Sequence, residues 1–126
     1  MPPVKPPQYF GLYYDIEELA GVCIYQNEGG GEWFIKALAV SSARQREGFG
    51  RCILDSALSE MDWRSAEQGG KDFSVWCKIH ESNTASRELF GSRGFVVRGP
   101  ADDPAYEEWI FDMPVTPLGQ EHEYFW

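Results

Sequence analysis

Histidine and cysteine are scarce in this chain, two and three residues respectively, and Cys23, Cys52 and Cys77 lie far apart with no C-x-x-C pair among them. A structural zinc site needs four ligands brought close together, so no metal site is expected. An odd number of separated cysteines, each inside an apolar run, also argues against a disulfide framework; the expectation is three buried, reduced thiols. Positive charge is the next shortage: 11 Lys and Arg stand against 20 Asp and Glu, a net charge of -9. A nucleic-acid backbone calls for a broad basic face and an anionic membrane for a basic cluster, so neither partner is expected. No apolar run approaches the ~20 residues that span a bilayer. Met1–Pro7 holds four prolines and lacks the apolar stretch of a secretory leader. These exclusions leave a soluble, cytoplasmic protein as the expectation.

What is present suits one domain. The 126 residues, 43% hydrophobic, can bury roughly two-thirds of the unfolded surface without a staple. Residues 1–7 read as a proline-rich lead, 8–114 as the folded domain and 115–126 as a tail. The tail closes on Tyr124-Phe125-Trp126, which is apolar for a terminus and favours docking. Aromatic-rich Tyr9–Tyr14 and Leu19–Gln26, separated by a polar break, read as a hairpin. Asn27–Gly31 is a turn, and Glu32–Val40 has the length of a buried strand. From Gly48 the apolar residues Ile53, Leu54, Ala57, Leu58 and Met61 mark one stripe of a helix that ends before Gly69-Gly70. Phe73–Ile79 is another strand. Ser82 or Asn83 caps a second helix running to about Arg93, and Phe95–Arg98 and Glu108–Met113 are the last strands. The fold class is α+β.

The chemistry-bearing segment is Leu38–Arg51, LAVSSARQREGFGR. A buried strand leads through a polar loop and glycines into a helix. Gly48 and Gly50 let backbone N–H groups approach a ligand closely, and the helix start adds unpaired donors and the positive end of a dipole. Together they suit an anion such as phosphate. Arg44, Arg46 and Arg51 form a basic island in an acidic protein. The loop is neither a Walker motif nor a dinucleotide fingerprint.

A second segment, Asn83 to Phe95, follows a strand about thirty residues later. With Gln45-x-x-Gly48-x-Gly50 ahead of it, and with Asn83, Ser86, Leu89, Gly94 and Phe95 at matching places, the chain resembles the GNAT-type N-acetyltransferases. The resemblance implies a mostly antiparallel sheet with two helices and a splayed parallel strand pair that binds acetyl-CoA, here Glu32–Val40 and Phe73–Ile79. It implies a pantetheine arm along the backbone of Leu38, Ala39 and Val40, and a pyrophosphate on Gln45, Arg46, Glu47, Gly48, Phe49, Gly50 and Arg51. Asn83, Ser86 and Phe90 would lie beside the cofactor. The Leu38 N–H would polarise the thioester carbonyl, and the acetyl group would pass directly to a primary amine without an acyl-enzyme.

Two departures qualify that picture. Phe90 stands where many members carry a tyrosine that protonates the leaving thiolate. The helices that usually precede the hairpin, and wall the acceptor site, have no counterpart before Tyr9. A non-catalytic acyl-CoA sensor or interaction module is therefore the alternative, and an exposed strand edge with the apolar tail suggests a homodimer. For the general base, His80 is suitable by type, whereas Glu32 begins the central strand at its far end. Asp102, Asp103, Glu107 and Glu108 lie in or beside the loop before the last strand and would attract a small-molecule or peptide amine.

Overall fold

Along Asp72–His80 alternate residues Phe73, Val75, Cys77 and Ile79 are buried. This period of two marks a strand with one face on a core. The computed structural model describes residues 8–15, 18–41 and 48–117. Its elements are β1 (Gln8–Asp15), β2 (Glu18–Gly29), β3 (Glu32–Val40), α1 (Phe49–Glu67), β4 (Asp72–His80), α2 (Thr84–Ser92), β5 (Val96–Pro100) and β6 (Tyr106–Pro114). The strands form one six-stranded sheet in the order β1-β2-β3-β4-β6-β5. Every neighbouring pair is antiparallel except β3 and β4. The fold is therefore mixed α+β with one parallel strand pair, as the two motifs implied.

The stripe Ile53, Leu54, Ala57, Leu58 and Met61 of α1 is buried against Cys23, Tyr25, Trp33, Ile35, Phe73 and Val75 of the sheet. Each large apolar side chain so enclosed contributes roughly 1.5–3 kcal/mol. α2 joins the same layer through Phe90, whose ring meets Phe95 edge-on at 5.0 Å, while Phe95 stacks on Phe111 at 5.1 Å. The end of β6 is tied down as well: Thr116 donates its N–H and its hydroxyl to the Asp62 carboxylate of α1, at 2.8 and 2.7 Å. Leu118 to Trp126, the apolar end of the expected tail, and Ile16 and Glu17 of the polar break lie outside the described residues.

Two local expectations change. The turn at Asn27–Gly31 contracts to Gly30-Gly31, because Asn27 is 8% exposed and belongs to β2. Its Nδ2 donates to Gln68 Oε1 at 3.2 Å, and its Oδ1 accepts from the Gly29 N–H at 2.9 Å. Cys52 is only half-buried, unlike Cys23 and Cys77. It neighbours Ile53 in sequence and so lies about 100° around the helix from that member of the apolar stripe.

Candidate functional site

The parallel ladder between β3 and β4 lasts three pairs, from Glu32–Ser74 to Phe34–Trp76. Beyond it each strand keeps its outer partner, β2 for β3 and β6 for β4, and the two diverge. A bulge sits at the point of divergence. Ala37 opposes Ile24 and Ile35 opposes Tyr25, so Lys36 is an extra residue. Bulges bend and twist the strand that carries them, and this one also resets which backbone groups face β4. The Ser41 N–H donates to the Ala20 carbonyl at 2.7 Å. Bonded and non-bonded pairs alternate in an antiparallel ladder, so Ala39 bonds to Val22 while Leu38 and Val40 turn their N–H and C=O groups into the gap. The expectation that all three residues offer backbone groups to a ligand is thereby narrowed to Leu38 and Val40.

Two cavities open from this gap on the helix side. One, of about 220 Å³, is lined among others by Leu38, Lys78, His80, Asn83, Phe90 and Tyr106. The other, of about 630 Å³, runs from Leu38 and Val40 past Gly48, Gly50 and Arg51 to Ser86 of α2. Gly48 has φ +82°, the left-handed conformation that glycine adopts at no cost. Cys52 makes the first intrahelical bond of α1, to the Gly48 carbonyl at 3.2 Å. The N–H groups of Gly50 and Arg51 therefore sit at the positive helix end, where no acidic side chain competes in the first turn. Gln45, Arg46 and Glu47, with Arg44, lie outside the described residues.

The remaining candidates divide. Asn83 caps α2, its Oδ1 accepting from the Ser86 N–H at 3.1 Å, so its Nδ2 is the end left for a ligand. Ser86 borders both cavities. Phe90 borders the smaller one but is 5% exposed and held by Phe95. His80 Nδ1 accepts from the Ser82 N–H at 3.1 Å and lies 2.7 Å from the Ser82 hydroxyl. A backbone N–H can only donate, so the proton of the neutral ring is on Nε2. In that tautomer the free ring atom is a donor and not a base. Glu32 is exposed at the start of β3, about 20 Å of strand from Leu38, and is not part of the gap.

The acidic group divides as well. Arg87 holds Glu107 at 2.7 Å and Arg98 holds Glu108 at 3.1 Å. Asp102 and Asp103 instead border a third cavity of about 360 Å³, shared with Phe34, Lys36, Lys78 and Tyr106. Lys36, Lys78 and Tyr106 line these cavities and are not among the candidates that the sequence offers. The signals were a lone lysine in an otherwise apolar strand and a tyrosine where the Asp-rich loop enters β6. Tyr106 reaches two cavities, and its ring lies 5.1 Å from that of His80.

Burial pushes the Cys23 and Cys77 thiols up to about 12. At pH 8 such a thiol is roughly 10⁻⁴ thiolate, so neither is a nucleophile in the folded protein. The expected thiol titration at that pH gives one reactive cysteine, Cys52, in the native state, and all three after unfolding in guanidinium. Rapid native reaction of all three would contradict the packing.

The sequence pattern of the acetyltransferase (GNAT) family matches residues 3–95. No curated protein sequence matches the chain. Among solved structures it is similar to the ribosomal-protein-S18-alanine N-acetyltransferase of Escherichia coli, at 23% identity over 94% of this chain and 75% of that one, with a TM-score of 0.64. It is also similar to Ard1 of Thermoplasma volcanium, at 22% identity over 85% and 70%, with a TM-score of 0.66. A third likeness is to the PaiA N-acetyltransferase of Thermoplasma acidophilum in complex with coenzyme A, at 14% identity over 82% and 59%, with a TM-score of 0.68. Likeness at these identities speaks for the fold. The family match spans well over half the chain, and together with the splayed strand pair it means that this chain belongs to the acetyltransferase (GNAT) family.

Proposed function

We propose that the protein transfers an acetyl group from acetyl-CoA directly to a primary amine. The observation that carries this reading is the three-pair ladder, which leaves an open strand edge leading toward the N-terminus of α1. These residues fit the cofactor. An extended, amide-bearing arm can pair with Leu38 and Val40 as an added strand does, and its phosphates can meet the Gly50 and Arg51 amides. When bound, acetyl-CoA supplies an acetyl group already activated as a thioester.

The chain's own residues then have defined tasks. The Leu38 N–H donates to the carbonyl oxygen as negative charge develops there, a contribution of about 2.7–4 kcal/mol for a prepositioned donor. The amine enters from the third cavity, opposite the cofactor, and loses its surplus proton to water. Phe90 has no proton for the departing sulfur. Tyr106 is the hydroxyl-bearing residue that borders both the cofactor gap and the entry cavity, and it takes that task, with the His80 Nε2–H as a neighbouring donor. Tyr106→Phe should lower kcat about tenfold, below the usual hundredfold for a lost acid because a thiolate leaves readily. Its coenzyme A affinity should stay unchanged. An unaltered kcat would remove Tyr106 from the reaction.

Leu12 on one edge strand and Val96 and Val97 on the other are exposed, which supports pairing of two copies. The test of the main reading is calorimetry with coenzyme A followed by thiol release from acetyl-CoA with a panel of amines. Absence of heat overturns it. Phe90 gives one specific reason to keep the acyl-CoA-binding module as the second reading, and binding without turnover on any amine would select it.

A further inference from the structure

We infer that the amine acceptor carries a carboxylate beside its nucleophilic nitrogen, as a free amino acid does. This rests on the acetyl-transfer reading and names the substrate class of that site. Lys36 and Lys78 each border both the small cavity at the strand gap and the 360 Å³ cavity on the entry side. The two lysines therefore stand where the two cavities meet, on the passage that the attacking nitrogen must use.

Among the described residues neither ammonium meets a carboxylate. Four arginines, Arg64, Arg87, Arg93 and Arg98, are each paired with a carboxylate, whereas neither lysine has an ion pair among the described residues. Lys78 has Glu108 directly opposite it on β6. That carboxylate is already taken by Arg98 through Nε and Nη2, at 3.3 and 3.1 Å. The Lys78 ammonium lies instead 5.7 Å from the Trp76 ring centroid. Lys36 owes its position to the bulge, which inserts it at the fork. In a chain with 20 acidic and 11 basic residues, two lysines at one opening without an ion pair among the described residues suit an anion from outside.

Asp102 and Asp103 border the entry-side cavity but not the one at the strand gap, so the passage has acidic residues on its entry side and the two lysines where it joins the gap. A simple diamine meets favourable charge at the entrance and repulsion at the reaction point. An amino acid has a group for each. Its ammonium is drawn by the loop, its carboxylate settles between the two lysines, and the same lysines favour the uncharged form of the nitrogen beside them. The acid cluster expected to attract a cation is thus half of a site that reads both charges.

The experiment compares amino acids, their amides and a linear polyamine, as ligands of the coenzyme A-saturated protein and as acceptors of the acetyl group. Amino acids should bind and react about tenfold better than their amides, the effect of one charge-assisted hydrogen bond. In Lys36→Gln/Lys78→Gln the ratio should fall to about one while coenzyme A still binds. Equal or better use of amides or polyamine by the parent, or a ratio unmoved in the double variant, overturns the inference and leaves acetyl transfer standing. No binding of coenzyme A by the parent overturns both.

Discussion

Gly50→Asp should fold at least as well as the parent protein and lose at least about a hundredfold in affinity for coenzyme A. Gly50 is the second residue of α1, where a carboxylate complements the helix dipole and adds about 0.3–1 kcal/mol. The site has room: a Cβ built there lies 3.4 Å from Leu89 Cδ2 and 3.6 Å from Val40 Cγ2, both flexible side-chain ends. Those two residues also line the 630 Å³ cavity, so the new carboxylate stands where the phosphates are proposed to sit. Two unit charges about 4 Å apart near a protein surface repel by about 4 kcal/mol. A hundredfold loss requires only about 2.7 kcal/mol. Gly50→Ala, which adds bulk without charge, should lose much less. Calorimetry and a melting curve on the same sample separate the two effects. A retained affinity in Gly50→Asp would place the phosphates elsewhere and undo the reading of the α1 N-terminus, whereas a collapsed fold would show up in the melting curve.

The legible and illegible parts of this molecule differ in the range of the interactions that define them. The stripe from Ile53 to Met61, the Asn83 cap and the alternation in Phe73–Ile79 are patterns within one element, and the sequence displays them directly. The Gln-x-x-Gly-x-Gly and Asn83–Phe95 motifs were legible for the same reason, and they pointed to a splayed pair before any register was known. The Lys36 bulge is a relation between β2 and β3, and no local pattern in EWFIKALAV announces it. With the bulge went the parity of Leu38 and Val40, the meeting of Lys36 with Lys78, and the place of Tyr106 beside the gap, which depends on the β4–β6 pairing opposite His80. The same long-range register explains the acidic loop. Glu107 and Glu108 follow Asp102 and Asp103 within a few residues in sequence, but they are consumed by Arg87 from α2 and Arg98 from β5.

Replacing Arg93 by Met should cost about 3 kcal/mol of stability, a melting point roughly 10 °C lower for a chain of this size. Arg93 follows α2, and its Nη2 meets Asp55 Oδ2 of α1 at 2.6 Å. The pair therefore fastens together the two helices that flank the 630 Å³ cavity. Asp55 is 4% exposed, and without the guanidinium its carboxylate is buried with nothing adequate to balance it. Burial already holds the Asp55 carboxyl above its usual value, Arg93 and Arg51 offsetting only part of that effect. A folded protein that keeps this proton to higher pH than the unfolded chain loses stability from the group as pH climbs through the interval between the two values. Removing Arg93 widens the interval. The deficit of Arg93→Met should therefore be largest at neutral pH and shrink toward acid, where the carboxyl is protonated in both states. Arg93→Met/Asp55→Leu, which removes both charges, should recover most of the loss. A deficit in Arg93→Met that persists unchanged at acid pH would mean that the guanidinium acts by packing alone. Recovery of stability in the double variant without recovery of coenzyme A affinity would show that the pair sets the spacing of α1 and α2 around the ligand as well as holding them together.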